Sequence, residues 1–303
     1  MSDTERSAET PTKLTLGTAT PGGGFPLYGD TVAAVITETD PTLLVEARNT
    51  KGSTENVPLL ETEQLDLALV QGEVAYEAFA GIGRPKTDLK ILYAMYPTAG
   101  MFAVKADSPW RTINDLLGQP VAFGARGSGL VILARFVLEG LDLNQDRDFQ
   151  AVYLDRAGDG PAMVLDGRVA ALWGGGSGWP GFTAVAKGPS GARFIAPDSR
   201  EIPRILSRHA FLKPLTMPAG SYPGLDEPLD SVGSWSFILT RPTLAYEIAY
   251  RLARALHSAE KVLGDRLAQA RDTTAVNTSA AAPRADLIHP GVCRYLREIG
   301  LSV

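Results

Sequence analysis

Three short stretches hold most of the residue types that could bind a small molecule: GTATPGGGFPLYGD over 17–30, GARGSG over 124–129 and GGGSGWPGF over 174–182. Each follows an apolar run that reads as a strand, and the first two also precede a segment that reads as a helix. Glycines at such a turn admit positive φ and let backbone N–H groups approach a ligand closely. In an open α/β sheet, ligands bind outside the carboxyl ends of the strands, which is where these stretches fall. Two of them feed helix N-termini, whose N–H groups and dipole attract anions. Neither phosphate-binding fingerprint is met: GxxxxGK[ST] is absent, and the first stretch has no GxGxxG with an acidic residue at the required distance.

Polar and aromatic residues near these turns are the next candidates. KGSTEN (51–56) offers Lys51 and Ser53 at a helix start, where simple capping is the competing role. Gln71 follows the apolar run LDLALV and reads equally as pocket lining or helix start. Arg126 interrupts a glycine loop and could neutralise a carboxylate. Trp173 and Trp179 flank the third stretch; Trp179, in a Gly/Pro loop, favours a pocket role. Tyr96 ends a strand beside Pro97.

Catalysis finds little support. Ser128 and Ser177 both fall outside the GxSxG pattern. His209, His257 and His289 have no acidic orienter at a recognisable spacing and are too scattered for zinc. Cys293, the single cysteine, excludes an internal disulfide and reads as packing. No metal and no cofactor are expected.

These residues sit within an alternation of strands and helices. LTLGT (14–18), LLVEAR (43–48), LDLALV (65–70), KILYAMY (90–96) and MFAVK (101–105) read as strands, with helices over 30–38, 53–63 and 72–80. Pro58 is tolerated only near the start of the second helix. A second unit has strands over 120–124, 151–155, 169–173 and 193–196, and helices over 112–118, 130–141, 161–166, 180–187 and 199–208. A strand over 235–240 follows, then helical stretches from Pro242 to Ala268 broken near Gly264, a loop over 272–286 and a terminal helix over 289–300 led by Pro290. The alternation implies an α/β fold with a largely parallel sheet. Residues 1–13 read as a disordered polar leader; no apolar h-region follows Met1, so no intact secretory signal is expected.

Composition sets outer bounds. Twenty-nine Lys and Arg against 34 Asp and Glu leave a net charge of −5, which argues against a dedicated nucleic-acid binder. The most apolar run, 129–141, carries Arg135 and Glu139, so no membrane span is expected. A chain of 303 residues suggests about two domains.

At these same residues the sequence resembles the TAXI solute receptors of TRAP transport systems. The resemblance is carried by GTATPGGGFPLYG, by 51–81, by SPWRTINDLLGQPVAFGARGSG (108–129), by MPAGSYPGLDE (217–227) and by IHPGVCRYLREIG (288–300). It implies the two-lobed periplasmic-binding-protein fold, each lobe a mostly parallel sheet flanked by helices. Lobe 1 would comprise 14–103 and 214–303 and lobe 2 would comprise 104–213, with crossings near 102–106 and 212–217. It also implies a small organic anion as ligand, a TRAP-type membrane permease as partner, a periplasmic location with the native signal absent from this sequence, and a monomer. By motif match, Thr18, Thr20, Gly23, Gly24 and Phe25 would form the first-lobe loop, and Lys51, Ser53, Asn56, Gln71 and Tyr96 would add contacts. Arg126, Gly127, Ser128 and Gly129 would clamp from the second lobe, and Trp179 would close the floor. Phe25-Pro26 and Trp179-Pro180 depart from the tyrosines usual at those places, and Lys51 from a small residue, which points to a larger or more apolar ligand held as an anion by Lys51 and Arg126. Two other readings stand beside a transport receptor: a ligand-sensing subunit of a signalling system, and an enzyme on the same fold, which would need a titratable pair in the cleft.

Overall fold

The structure, a computed structural model, describes residues 11–303. In the first part, β1 (Thr12–Gly17), α1 (Gly24–Thr39), β2 (Leu43–Arg48), α2 (Ser53–Glu61), β3 (Leu67–Val70) and α3 (Gly72–Ala80) lead into the long strand β4 (Lys90–Lys105). The middle of the chain forms β5 (Pro120–Ala125), α4 (Gly129–Gly140), α5 (Gln145–Asp148), β6 (Gln150–Leu154), α6 (Gly160–Leu165), β7 (Ala171–Gly175), α7 (Pro180–Ala186), β8 (Ala192–Ile195) and α8 (Glu201–Arg208). The chain then adds β9 (Lys213–Met217), β10 (Leu229–Thr240), α9 (Tyr246–Ser258), α10 (Glu260–Arg266), α11 (Ala275–Ala281) and α12 (Pro290–Glu298).

The strands order as β2-β1-β3-β10-β4-β7-β5-β6, with β8 on β4 and β9 on β10. The expected parallel ladders are present as β2-β1-β3 and β6-β5-β7. Between them β4 and β10 run antiparallel, so the sheet is mixed. Apolar side chains cover both faces of each parallel ladder. Leu16 and Val32 share a core with Leu252 and Leu296, joining the two ends of the chain. The middle of the chain packs around Phe102, Phe123 and Trp173 on one face and around Phe182 and Phe194 on the other.

Several expectations about elements are corrected. The leader read over 1–13 ends earlier, because Thr12 and Lys13 already pair in β1; the rest of it lies outside the described residues. Helix α1 begins at Gly24 rather than Asp30. Gly24 and Pro26 disguise its first turn, where proline costs no hydrogen bond because that N–H would be unpaired anyway. The expected strands 90–96 and 101–105 are one strand, β4, buried along nearly its whole length. The late helical region breaks at Ala259, not Gly264, and starts only at Tyr246.

The join in β4 is a bulge. Trp235 pairs with Pro97 and Phe237 with Ala94, so β4 carries one residue more than β10 there. A bulge kinks a strand and leaves backbone groups without ladder partners. Here they are satisfied from the stretch read as a loop: Ala94 N–H donates to Thr278 Oγ1 at 3.0 Å, and Thr273 Oγ1 donates to the Met95 carbonyl at 2.8 Å. That stretch holds α11, capped by Thr274, and its threonines trade helix propensity for these bonds.

Candidate interlobe binding site

The carboxyl ends of β1, β2, β3, β5, β6 and β7 converge on one cavity between the two parallel ladders, as the position of the glycine stretches requires. Its volume is about 60 Å³. The first glycine stretch supplies Thr20, Gly23, Gly24 and Phe25, and the loop after β2 supplies Lys51, Gly52 and Ser53. Gln71 closes one side from β3, and the β4 bulge turns Tyr96 and Thr98 inward. From the other ladder come Ser128, Gly129, Leu130, Leu154, Ala157, Leu172 and Trp179.

Hydrogen bonds tie the two sides of the cavity together. The Gly127 carbonyl accepts from Thr54 N at 3.2 Å and from Thr54 Oγ1 at 3.0 Å, and Ala157 N donates to Thr20 Oγ1 at 3.2 Å. Such proximity needs glycine. Gly52 has φ 117°, and a Cβ there would lie 2.8 Å from the Gly127 carbonyl oxygen. A Cβ on Gly22, at φ 83°, would lie 2.6 Å from Gly158 Cα. Beside the cavity, Tyr76 of α3 stacks on Phe211 with ring centroids 3.9 Å apart, and Glu77 pairs with Arg135 of α4.

The wall is mostly apolar and its polar groups are neutral. Ser53 is buried, and its Oγ accepts from Gln71 N at 3.1 Å. The Gln71 amide nitrogen is buried without a hydrogen-bond partner. Tyr96 OH accepts from Gln269 Nε2 at 3.3 Å; burial drives its pKa well up, so the hydroxyl keeps its proton. Helices α1, α2 and α3 start at the wall with no side-chain cap, whereas α4 is capped by Ser128 Oγ accepting from Leu130 N at 3.2 Å. Trp179 sits edge-on to Phe182 and is held by Tyr222, whose hydroxyl accepts from Trp179 N at 2.7 Å and donates to the Gly176 carbonyl.

Behind Gln71 lies Glu73, wholly buried in the first turn of α3. One of its oxygens accepts from Ser234 Oγ of β10 at 2.7 Å and the other has no partner. Burial pushes its pKa up to about 7, against the smaller lowering effect of the Ser234 bond. The Gln71 amide stands near this carboxylate but outside hydrogen-bonding geometry.

Eleven of the fifteen residues singled out from sequence line this cavity: Thr20, Gly23, Gly24, Phe25, Lys51, Ser53, Gln71, Tyr96, Ser128, Gly129 and Trp179. Thr18, Asn56, Arg126 and Gly127 stand off its wall. Thr18 is buried and bonds to the Arg48 carbonyl, while Asn56 donates to the Thr18 and Leu69 carbonyls at 2.8 Å and ties β1 to β3. Arg126 is exposed, its guanidinium 5.2 Å from the centre of the Tyr153 ring. Lys51 touches the cavity near its backbone, but its side chain is 80% exposed and its ammonium lies 3.9 Å from Glu55. The two cations expected to hold an anion therefore face solvent. Gly127 meets Thr54 instead of the cavity.

The NMT1-like family profile matches residues 16–300. The chain belongs to the NMT1-like family. Among solved structures it is similar to the alkanesulfonate-binding protein SsuA from Xanthomonas axonopodis pv. citri bound to MOPS, at 18% identity over 96% of this chain and 85% of that one, with a TM-score of 0.52. A TctC solute-binding protein from Polaromonas matches at 15% identity over 97% and 99%, TM-score 0.54. An ancestral arginine-binding protein bound to arginine matches at 14% identity over 86% and 99%, TM-score 0.53. At these identities the likeness shows the fold, which is that of the two-lobed periplasmic solute-binding proteins.

Residues of this NMT1-like chain that sequence reasoning passed over are Gly52, Thr98, Leu130, Leu154, Ala157 and Leu172 on the wall, and Tyr222 behind it. Gly52 and Leu130 adjoin stretches already singled out and could have been found there. Thr98 depends on the β4 bulge, and Tyr222 reaches the loop from 43 residues away. Among the described residues, no group of three or more His, Cys, Asp or Glu side chains is placed to hold a metal ion. Among them, too, no helix is long and apolar enough to cross a membrane.

Proposed function

We propose that this protein is an extracytoplasmic, periplasmic solute receptor of the TAXI type. It captures a small organic anion between its lobes and presents it to a TRAP-type membrane permease, acting as a monomer without catalysis. The observation that carries this reading is the cavity between the two parallel ladders, at whose wall α1, α2 and α3 start without side-chain caps. Oriented N–H groups and dipoles attract negative charge without a cationic side chain. The sulfonate ligand of the SsuA neighbour is of the same chemical kind.

Within this reading, β4 and β10 are the crossing strands. β4 pairs with β10 up to Ala99 and with β7 and β8 from Gly100 onward, and β10 leaves β9 at Gly233. We place the hinge there, in place of 102–106 and 212–217. Residues 214–232 then belong with lobe 2, where Met217, Tyr222 and Leu225 pack against Phe182 and Phe194. Closure follows from rotation about these two strands.

A thermal-shift screen against carboxylates, sulfonates and acidic amino acids tests the reading. A ligand at about 100 times its Kd adds about 2.7 kcal/mol of stability. A rise in Tm with one acid, lost in Ser53→Ala, supports the receptor; turnover of an acid by the purified protein would replace it with an enzyme.

A further inference from the structure

A second cavity, of about 160 Å³, shares only Tyr96 with the one described above. Its walls come from the β4 bulge, the loop after β7, strand β9 and the turn between α10 and α11. Asp272, in that turn, is the only charged residue on them. Among the described residues no hydrogen bond or ion pair reaches its carboxylate, and partial burial raises its pKa. The neighbouring Arg271 lies along α10 instead, where a Cβ on Gly264 would meet Arg271 Cγ at 3.2 Å. The other polar side chains of the cavity have spent their protons. Gln269 is buried, and its amide nitrogen donates to the Gly24 carbonyl and to Tyr96 OH, both at 3.3 Å, which leaves Oε1 as an acceptor. Ser177 Oγ donates to the Met217 sulfur at 3.5 Å, and Thr216 Oγ1 donates to Asp230 at 2.6 Å, so both hydroxyls have only lone pairs to offer. The rest of the wall is apolar, with Pro97, Leu215 and Pro218.

We propose that this second cavity binds a primary alkylammonium ion. The proposal goes beyond the receptor reading and does not depend on it. An ammonium group carries three N–H donors and no acceptor, the complement of a wall that offers a carboxylate, an amide oxygen and hydroxyl lone pairs. Its charge balances Asp272, and a hydrogen bond between two ionised groups is roughly twice as strong as one between neutral groups. An anion would meet Asp272 with no counter-charge on the wall. A quaternary ammonium would balance the charge but leave the acceptors without donors. The alkyl chain finds hydrocarbon at Pro97, Leu215 and Pro218. Tyr96 stands in the wall of both cavities, so an occupant of the second bears on a residue that lines the first.

The test is calorimetric titration of the full chain with butylammonium, butyltrimethylammonium and 1-butanol. Butylammonium is expected to bind at least tenfold more tightly than the other two. Asp272→Asn weakens that binding at least tenfold, whereas Asp30→Asn, which removes an exposed carboxylate on α1, stays within twofold of the parent. Ser177→Leu, which puts a larger side chain on the same wall without changing its charge, also weakens it at least tenfold. Butyltrimethylammonium binding as tightly as butylammonium overturns the proposal, because charge alone then suffices. Equal losses in the two aspartate variants, or none in either, overturn it by placing the ion elsewhere, as does the absence of heat with all three compounds. None of these outcomes touches the acid screen, so the receptor reading stands or falls separately.

Discussion

Gly129 at the start of α4 and Gln71 at the start of α3 meet across the cleft so closely that a Cβ on Gly129 would lie 2.4 Å from the Gln71 Cβ. One residue follows β3 and the other follows β5, strands of the two different parallel ladders. The hydrogen atom that serves glycine as a side chain is therefore what lets the start of α4 approach Gln71 so closely. Other interlobe contacts repeat the pattern with backbone against backbone, at Gly52 with Gly127 and at Gly22 with Gly158.

Gly129→Ala should prop the lobes apart without unfolding them, because the added methyl group meets the facing lobe and not the core of its own. Affinity for whichever acid binds should fall at least tenfold, equivalent to about 1.4 kcal/mol. Small-angle scattering should show a larger radius of gyration. Unchanged affinity and dimensions would mean that the contact has slack and that closure does not depend on it.

Glu73 should make stability depend on pH. Its pKa is raised from 4.5 to about 7 by burial, so between those values the folded state holds a proton that the unfolded state has released. Stability supplied by the protonated form is complete below pH 4.5, falls as pH rises and levels off above about 7. The change should be on the order of 3 kcal/mol. Urea denaturation of the parent and of Glu73→Gln at pH 5 and pH 8 isolates it, since other groups titrate in both proteins. A constant difference between the two proteins at both pH values would show that the carboxyl stays in one state throughout.

Thr278→Val should destabilise the protein by about 1–3 kcal/mol, the usual cost of leaving a buried donor unpaired. The lost partner is the Ala94 N–H at the β4 bulge. Because that bulge positions Tyr96, affinity should fall along with stability. Denaturant melts and titrations on the same variant compare the two. A melt identical to the parent would mean that the bulge is satisfied by other means.

The fold class was legible in the sequence because it depends on local signals. Apolar runs alternate with amphipathic stretches, and glycine clusters mark strand ends, so the convergence of three loops on one site could be expected from the strand–helix order. Most wall residues lie in those loops, and the individual residues there come from strand-end position together with the family resemblance. Tertiary structure decided what each side chain faces. Lys51 and Arg126 sit at the right place in the chain, but their charged ends point to solvent and the cavity is neutral. Asn56 and Thr18 look like ligand contacts by type, yet they satisfy backbone groups of β1, β2 and β3. The β4 bulge, the threonines that serve it and the Tyr222 clasp on Trp179 join residues 43 to 184 positions apart. No local pattern encodes such pairs: sequence periodicity tells a side chain which face it occupies, but what stands opposite is set only when the distant strands and helices pack.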